Sequence, residues 1–547
     1  MSTFGSFSTV KLGIYAAQKG LDVTGNNITN INTEGYTRQR LQQTSLVTSA
    51  ADRYYSIYKT RVGQGVVTTG VTQLREPGLD LAYRNSTSDL GAADAKLAGL
   101  EDLAQILDEV GKGDLEQDDG VILNQLNDLR DLINEAITNG IEEYDGLIRT
   151  SAQALCTLFN STANSLTELQ GRYEERLTQQ VDTINSILTN LRDLNVSIRN
   201  ADIRGDNALE LRDERNRLLD ELSQYVKIDV QYTMEDVGAG FMVEKMTVSL
   251  ATGDRNALVD GAYAGTMRIN NANGNYDIEL GALRDADGKK QDINAIDPVV
   301  LGDTALYGAL QSTREILTEK GEYSLDADVT RDSNANVKRG IPYYQKALDN
   351  LAYEFAEQMN ALNHIYDGGG NLVSGGNLFS MGSNTNDASG TDAGGNQVWI
   401  TAANISVSKA WAEGDVSIQA KSDPNAPSGD TSNLVKFLAI FDGKQVFNPD
   451  NVAGGDAVGA NYEGTFEDML LRIQSVLAED QMATSAVLTN YTVTNNEIYM
   501  SRDSVMGVDL NDEATSLMVY QKAYTAACRL MTVLEEALDS LINGTIV

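Results

Sequence analysis

A chain of 547 residues is longer than one hydrophobic core usually serves and points to three or four domains, while an apolar share of 41% excludes wholesale disorder. Seventy-eight acidic against 42 basic residues give a formal charge of −36, a field that repels phosphate backbones and anionic lipid and argues against a nucleic-acid partner or membrane insertion. No run of about 18 apolar residues occurs, and the first 20 residues lack the basic-then-apolar order of a cleaved secretory signal.

The N-terminal stretch places Phe7, Val10, Ile14, Ala17, Leu21, Ile28 and Ile31 at alternating three and four spacing, with Thr24 as the one polar occupant of the seam. Directly after it comes "NNITNINTEGYTRQR", residues 26–40. Asn26, Asn27, Asn30 and Asn32 can bond neighbouring turns through their side chains, and Gly35 permits positive φ. The run therefore predicts a sharp corner without a core of its own, with Tyr36 as an apolar anchor.

The six prolines leave residues 78–297 and 450–547 uninterrupted, which gives room for long helices. Leu177, Val181, Ile184, Leu188, Leu191 and Ile198 form the seam of a helix over about 145–203. Gly205 then turns the chain, Asp206 offers a cap, and Leu211, Leu218, Leu222 and Tyr225 define a second helix that folds back antiparallel.

Past Tyr225 the period falls to two in "VKIDVQYT" and "KMTVSL", and "NNANGN" reads as a hairpin turn, so a β-rich insertion is expected over 226–339. Helical spacing resumes at Tyr344, Leu348, Leu351, Phe355 and Leu362. Glycine, asparagine and serine dominate 365–396, which predicts exposed loops, followed by a short strand near "ITAANISVSK" and helices near 430–441 and 463–500.

At the C-terminus Leu517, Tyr520, Tyr524, Ala527, Met531, Leu534, Leu538 and Leu541 form an unbroken three-four seam, opened by Asp509, Asp512 and Glu513 and closed by Asn543 and Gly544. Two seams at the two ends invite pairing. Burying one stripe offsets only part of the cost of ordering two isolated helices, so such a pair is expected to order fully only when further helices cover it.

The expected architecture is mainly α with an inserted β-rich domain, an α+β fold. Residues 1–45 with 505–547 form paired terminal coiled-coil helices, 46–225 with 340–504 a helical region with loops, and 226–339 the β insertion.

Asn26, Asn27, Asn30, Asn32, Gly35 and Tyr36 follow a pattern that resembles the N-terminal signature of the bacterial flagellar axial proteins, the rod, hook and hook-associated family. Tyr36 followed by Thr37, Arg38 and Gln39 is most similar to the hook-associated branch. The resemblance continues through "VGQGVVTTGVTQLREPGLDLAYRN", "LRDERNRLLDELSQYVKIDV" and the C-terminal seam, and weakens in the β region and in 365–430.

The family implies a structural subunit at the junction of hook and filament, exported by the flagellar type III apparatus without a cleaved signal and located outside the cell. It implies terminal helices lining a hollow tube and a β insertion facing outward. It implies as partners further copies of the chain in a helical ring, the hook protein, a second junction protein (hook-associated protein 3), and a cytoplasmic export chaperone on the seam Leu517 to Leu541. A hook or distal rod role is the alternative within the family, disfavoured by the long helices between 88 and 225. A secreted glycan-acting enzyme is the alternative of another class.

Catalytic patterns are weak. Ser8 to Lys11 spells S-x-x-K inside the apolar stripe, without the S-D-N or K-T-G that accompanies it in penicillin-binding proteins. Glu142, Glu143 and Asp145 read as a solvated helix face, and "DADGKK" at 285–290 as a β-turn. A single histidine, His364, builds no triad and reads as a helix-end contact. Cys156 and Cys528 fall in helical patterns outside any zinc spacing and are expected to be small buried thiols. No catalytic residue, metal ligand or cofactor is expected.

Overall fold

A computed structural model describes residues 3–46, 63–107, 120–238, 240, 242–303, 305–367, 369–391 and 397–544, with side chains from residue 6. Parts of two expected regions, 47–62 and 108–119 of the helical region and 392–396 of the loops, lie outside the described residues.

Helix α1 (Thr3–Thr29) leads into an antiparallel ribbon of β1 (Gln39–Ser45) and β2 (Val66–Gln73), bulged between Gln42 and Gln43. The helical body begins at α2 (Pro77–Leu107), whose first residue is a proline suited to a helix start. Small buried residues, Ser86, Ser88, Gly91, Ala95 and Gly99, let α2 approach its neighbours closely.

After α3 (Val121–Asn139) comes α4 (Ile141–Ile203), 63 residues and so about 95 Å long. Its stripe from Leu155 through Leu177, Ile184 and Leu191 is fully buried. Helix α5 (Leu209–Tyr225) returns antiparallel along α4: Ile198 and Ala201 pack with Ala208 and Leu211, and Arg212 bonds Asp202 at 3.0 Å. The expected cap at Asp206 is corrected by the structure. Ala208, in the left-handed region, occupies the N-cap position of α5 without a side-chain cap bond, and Asp206 accepts from its N–H through a turn at 3.3 Å.

The insertion holds a four-stranded antiparallel sheet in the order β3 (Ile228–Asp236), β4 (Met242–Leu250), β5 (Ala257–Asp260), β6 (Tyr263–Ala264). A three-stranded sheet follows, β7 (Met267–Asn270), β8 (Asp277–Leu280) and β9 (Val299–Val300), with the hairpin at "NNANGN" joining β7 to β8.

The strands stop well before residue 339. Helices α6 (Gly308–Thr318) and α7 (Asp326–Arg331) occupy the rest of that stretch, because Leu310, Ile316 and Leu317 bury a helical face against the body, where α6 packs on α2. Helix α8 (Ile341–Asn363) buries Tyr344, Leu348, Leu351 and Phe355. His364 is the residue that follows its last turn.

Residues 365–391 and 397–407 carry three two-residue or three-residue strand ladders rather than loops alone, including Phe379–Met381 paired with Ile405–Val407. Beyond them come α9 (Lys409–Glu413), α10 (Ser432–Asp442), α11 (Asp450–Ala453), α12 (Phe466–Met506) and α13 (Leu510–Asn543).

One continuous apolar core runs through α2 to α6, the sheets, α8, α10 and the first third of α12, and stops at Leu477. No described residue of α1 or α13 belongs to it. The two terminal helices pack instead on each other. No described helix is long and apolar enough to cross a membrane.

Candidate assembly interface

The asparagine corner is built on hydrogen bonds. Asn27 is 1% exposed at the end of α1 and holds both sides of the turn: its Nδ2 donates to the Gln39 carbonyl at 2.9 Å, and its Oδ1 accepts from the Gln39 N–H at 3.0 Å. The same Oδ1 accepts from the Tyr36 hydroxyl at 2.8 Å. Tyr36 is therefore tied by its hydroxyl and half-buried, not simply an apolar anchor. Burial, then the carboxylates of Asp213, Glu210 and Glu513, raises its pKa and keeps that proton in place.

Asn30 donates to both the carbonyl and the side-chain oxygen of Asn26, at 3.0 and 2.9 Å, which ends the helix. Gly35 turns at φ 77°, in the left-handed region, with the Arg217 side chain 3.3 Å from where a Cβ would stand. Asn32 is exposed.

The corner is clamped to the body by charge. Arg38 bonds Glu513 at 2.7 Å and lies 3.5 Å from Asp512, and its N–H donates to the Met506 carbonyl, so the corner meets the start of α13. The Thr37 N–H donates to Asp213 at 3.2 Å, and Arg75 reaches the Thr37 hydroxyl at 3.1 Å and Asp80 at 2.6 Å.

Behind them Arg502 of α12 bonds Asp80 at 2.7 Å and Asp220 at 2.6 Å, Arg84 bonds Asp220 at 2.8 Å, and the Arg502 guanidinium sits 4.6 Å from the Tyr83 ring centre. Three helices far apart in sequence are thereby locked together. Burial alone would raise the Asp80 carboxyl, but the bond to Arg75 and the charges of Arg75, Arg502 and Arg84 hold it below its usual range. Asp213 has less compensation: burial lifts it to about 6, against the Thr37 bonds and Arg75. A cleft of about 1200 Å³ opens between the corner, α5 and the junction of α12 with α13, lined by Tyr36, Arg38, Arg217, Arg502 and Asp509 among others.

Along the terminal pair Val10 and Ala17 are buried, and Phe7, Ile14, Leu21 and Ile28 are half-buried. Ile31 lies beyond the end of α1 and is 38% exposed, so the N-terminal stripe stops at Ile28, where the Asn26 to Asn30 bonds end the helix. Gly20 allows the closest approach, since a Cβ there would stand 2.4 Å from the Tyr520 ring.

On α13, Leu517, Tyr520, Ala527, Met531, Leu534 and Leu538 are half-buried, whereas Tyr524 is exposed and Leu541 is 60% exposed. Glu513 is the one buried residue of its 34. Cys156 is buried, and burial pushes its thiol up to about 12; Cys528, expected to be buried, is only half-covered because it sits beside the seam on this thinly covered helix.

A second stripe on α13 was not read from the sequence: Val519, Ala523, Ala526, Leu530, Val533 and Ala537 recur at three-four spacing and are all exposed. The spacing was visible, but alanine steps hid it. The ionic cluster of Asp80, Arg84, Asp213, Asp220 and Arg502 was also missed, because its members share no local pattern.

Comparison with known proteins accords with this geometry. The family described as the flagellar hook-associated protein FlgK helical domain matches residues 115–379, and the flagella basal body rod protein family matches residues 13–37. Flagellar hook-associated protein 1 of Bacillus subtilis is 27% identical over 99% of this chain and 98% of its own length. The protein of the same name from Salmonella typhimurium is 23% identical over 97% and 98%. The solved structure of the flagellar hook junction protein FlgK from Burkholderia pseudomallei superposes with a TM-score of 0.53, at 14% identity, over 79% of this chain and 100% of that one, a likeness of fold.

These sequence matches mark a structural protein of the bacterial flagellum, and the mainly helical α+β fold with terminal helices outside the core accords with them. More narrowly, the chain is similar to the hook-associated protein 1, or FlgK, family, which is a family of structural proteins and not of enzymes.

Proposed function

We propose that the chain is the subunit that joins hook to filament, exported through the flagellar type III apparatus without a cleaved signal and assembled outside the cell as a helical ring. The observation that carries this reading is α13: among its 34 residues only Glu513 is buried, and it presents a second exposed apolar stripe from Val519 to Ala537 besides the one facing α1. An apolar stripe of that length on an acidic protein marks a surface that another chain covers. Open, head-to-tail contacts between copies generate a helical tube, and α1 with α13 supply its inner wall.

In this reading Phe7, Val10, Ile14, Ala17, Leu21 and Ile28 pair with Leu517 to Leu541 within one subunit, and the second stripe meets the next. Asn26, Asn27, Asn30, Gly35 and Tyr36 fix the angle between that wall and the helical body. The sheets of 226–300 face outward, while 308–331 belongs with the body. Neighbours are the hook protein on one side and hook-associated protein 3 on the other, and an export chaperone covers the α13 seam beforehand.

Amide hydrogen exchange on the purified monomer and on protein assembled onto isolated hooks tests this. Residues 6–30 and 510–543 exchange freely in the monomer and become protected on assembly if the reading holds. Full protection in the monomer overturns it.

A further inference from the structure

Helix α5 is gripped from two sides at its first two turns. On one side Glu210 accepts from the Gln39 side chain at 3.3 Å and Asp213 from the Thr37 N–H at 3.2 Å, which ties the helix to the asparagine corner. On the other side Arg212 and Arg215 both bond one carboxylate, that of Glu244 on β4, at 2.6 Å each. At about 3.6 residues per turn, positions 210 and 213 stand opposite 212 and 215, so the corner and the β insertion meet across a single helix about 10 Å thick.

The part of the insertion that reaches α5 is the far half of the hairpin of β3 and β4. Pairing of β4 with β5 ends at Thr247, so residues 232–236 and 242–246 form a two-stranded ladder beyond the four-stranded sheet. Its β3 side is exposed throughout. Such a ladder is marginal in water by itself. Arg215 steadies it, with its guanidinium 5.1 Å from the Tyr232 ring centre as well as on Glu244.

Helix α5 depends on the same contact. Its N-cap residue, Ala208, supplies no side-chain bond, so the first turn relies on tertiary partners. Arg212 has a second carboxylate in Asp202, at 3.0 Å. Arg215 is 3% exposed, and its described hydrogen bond besides those to Glu244 is a long one to Asn195, at 3.4 Å. Without Glu244 that buried cation must turn toward other groups and carry the start of α5 with it.

We propose that the far half of this hairpin is a strut that sets the position of the α5 start and, through Glu210 and Asp213, the angle at which the corner joins the body. Coupling of this kind is reciprocal, so loosening the corner side of α5 loosens the hairpin as well. The strut acts within one chain and is read on the monomer, whatever the chain assembles with.

Amide hydrogen exchange on the full-length purified protein tests it. Glu244→Gln is expected to raise exchange at Thr37, Arg38 and Gln39 about fivefold, while exchange across 160–190 of α4 stays as in the parent. Lys245→Gln is the comparison: it breaks the 2.9 Å pair with Asp260 on the opposite face of the same strand and is expected to leave residues 37–39 unchanged. Glu210→Ala with Asp213→Ala is expected to raise exchange at 232–236 and 242–246 in turn.

Unchanged exchange at 37–39 in Glu244→Gln overturns the proposal. An equal rise in Lys245→Gln does so too, because it reports general loosening of the insertion, and so does a hairpin unmoved by the paired change at Glu210 and Asp213. Should Glu244→Gln fail to fold, Tyr232→Leu removes only the ring against Arg215 and is expected to raise exchange at 37–39 about twofold. No rise there, with 232–246 loosened, sinks the strut.

Discussion

The helical body and the terminal helix pair carry the same three-four apolar spacing and treat it in opposite ways. In α4, Leu177, Ile184, Leu188 and Leu191 are sealed by α5, the sheets and α8. In α13, Leu517 to Leu538 are at most half-covered, because α1 is the main element packed along it. A seam in the sequence states a helix and a face; what it cannot state is how many partners cover that face.

Breaking the body costs most. Arg502→Leu removes two charge-assisted bonds and leaves Asp80 to Arg75 and Asp220 to Arg84, a loss of about 3 kcal/mol readable by chemical denaturation of the monomer. Leu188→Ala opens a cavity inside the core and costs about 2–5 kcal/mol in the same assay.

At the hinge between the two regions, Asn27→Ala strips partners from Gln39 and Tyr36 and costs about 1–3 kcal/mol. Its signature is local: faster amide exchange at residues 27–40 with little change in the body's melt.

The terminal pair is expected to respond least in the monomer. Leu534→Ala, half-buried on α13, lowers monomer stability by less than about 1 kcal/mol, since little apolar area leaves water there. Incorporation into flagella falls instead. A large monomer destabilisation by this change would erase the contrast between the regions.

The smallest effect sharpens the picture of the joint. Asp213 titrates near 6 in the folded chain, above its ordinary range, so the folded state holds its proton more tightly than the unfolded chain. That contribution to stability is present in full below the ordinary carboxylate range and is lost as pH rises through about 6. Asp213→Asn removes this dependence, so stability measured from pH 5 to 7 becomes flatter than in the parent.

Much of the fold was legible. The α4 seam, the hairpin at "NNANGN", the α8 stripe and the helices near 430–441 and 463–500 stand where the residue spacing put them. The strands were over-extended to 339 because α6 is short and its apolar residues, Leu310, Ile316 and Leu317, do not outweigh the alternation before them. The β1 to β2 ribbon had no clear alternation to announce it, its residues being mostly polar and half-exposed.

By itself the sequence determined the local terms: helix seams, the turn chemistry of the asparagine corner, the acidic field and the resemblance to the axial family. These follow from spacing and side-chain type within a few turns of chain. Only the tertiary structure decided which carboxylates are held ionised, that Tyr36 bonds Asn27 through its hydroxyl, and which stripes remain open. Those depend on residues hundreds of positions apart, such as Asp80 with Arg502 and Arg38 with Glu513, and burial is a property of what surrounds a face rather than of the face itself.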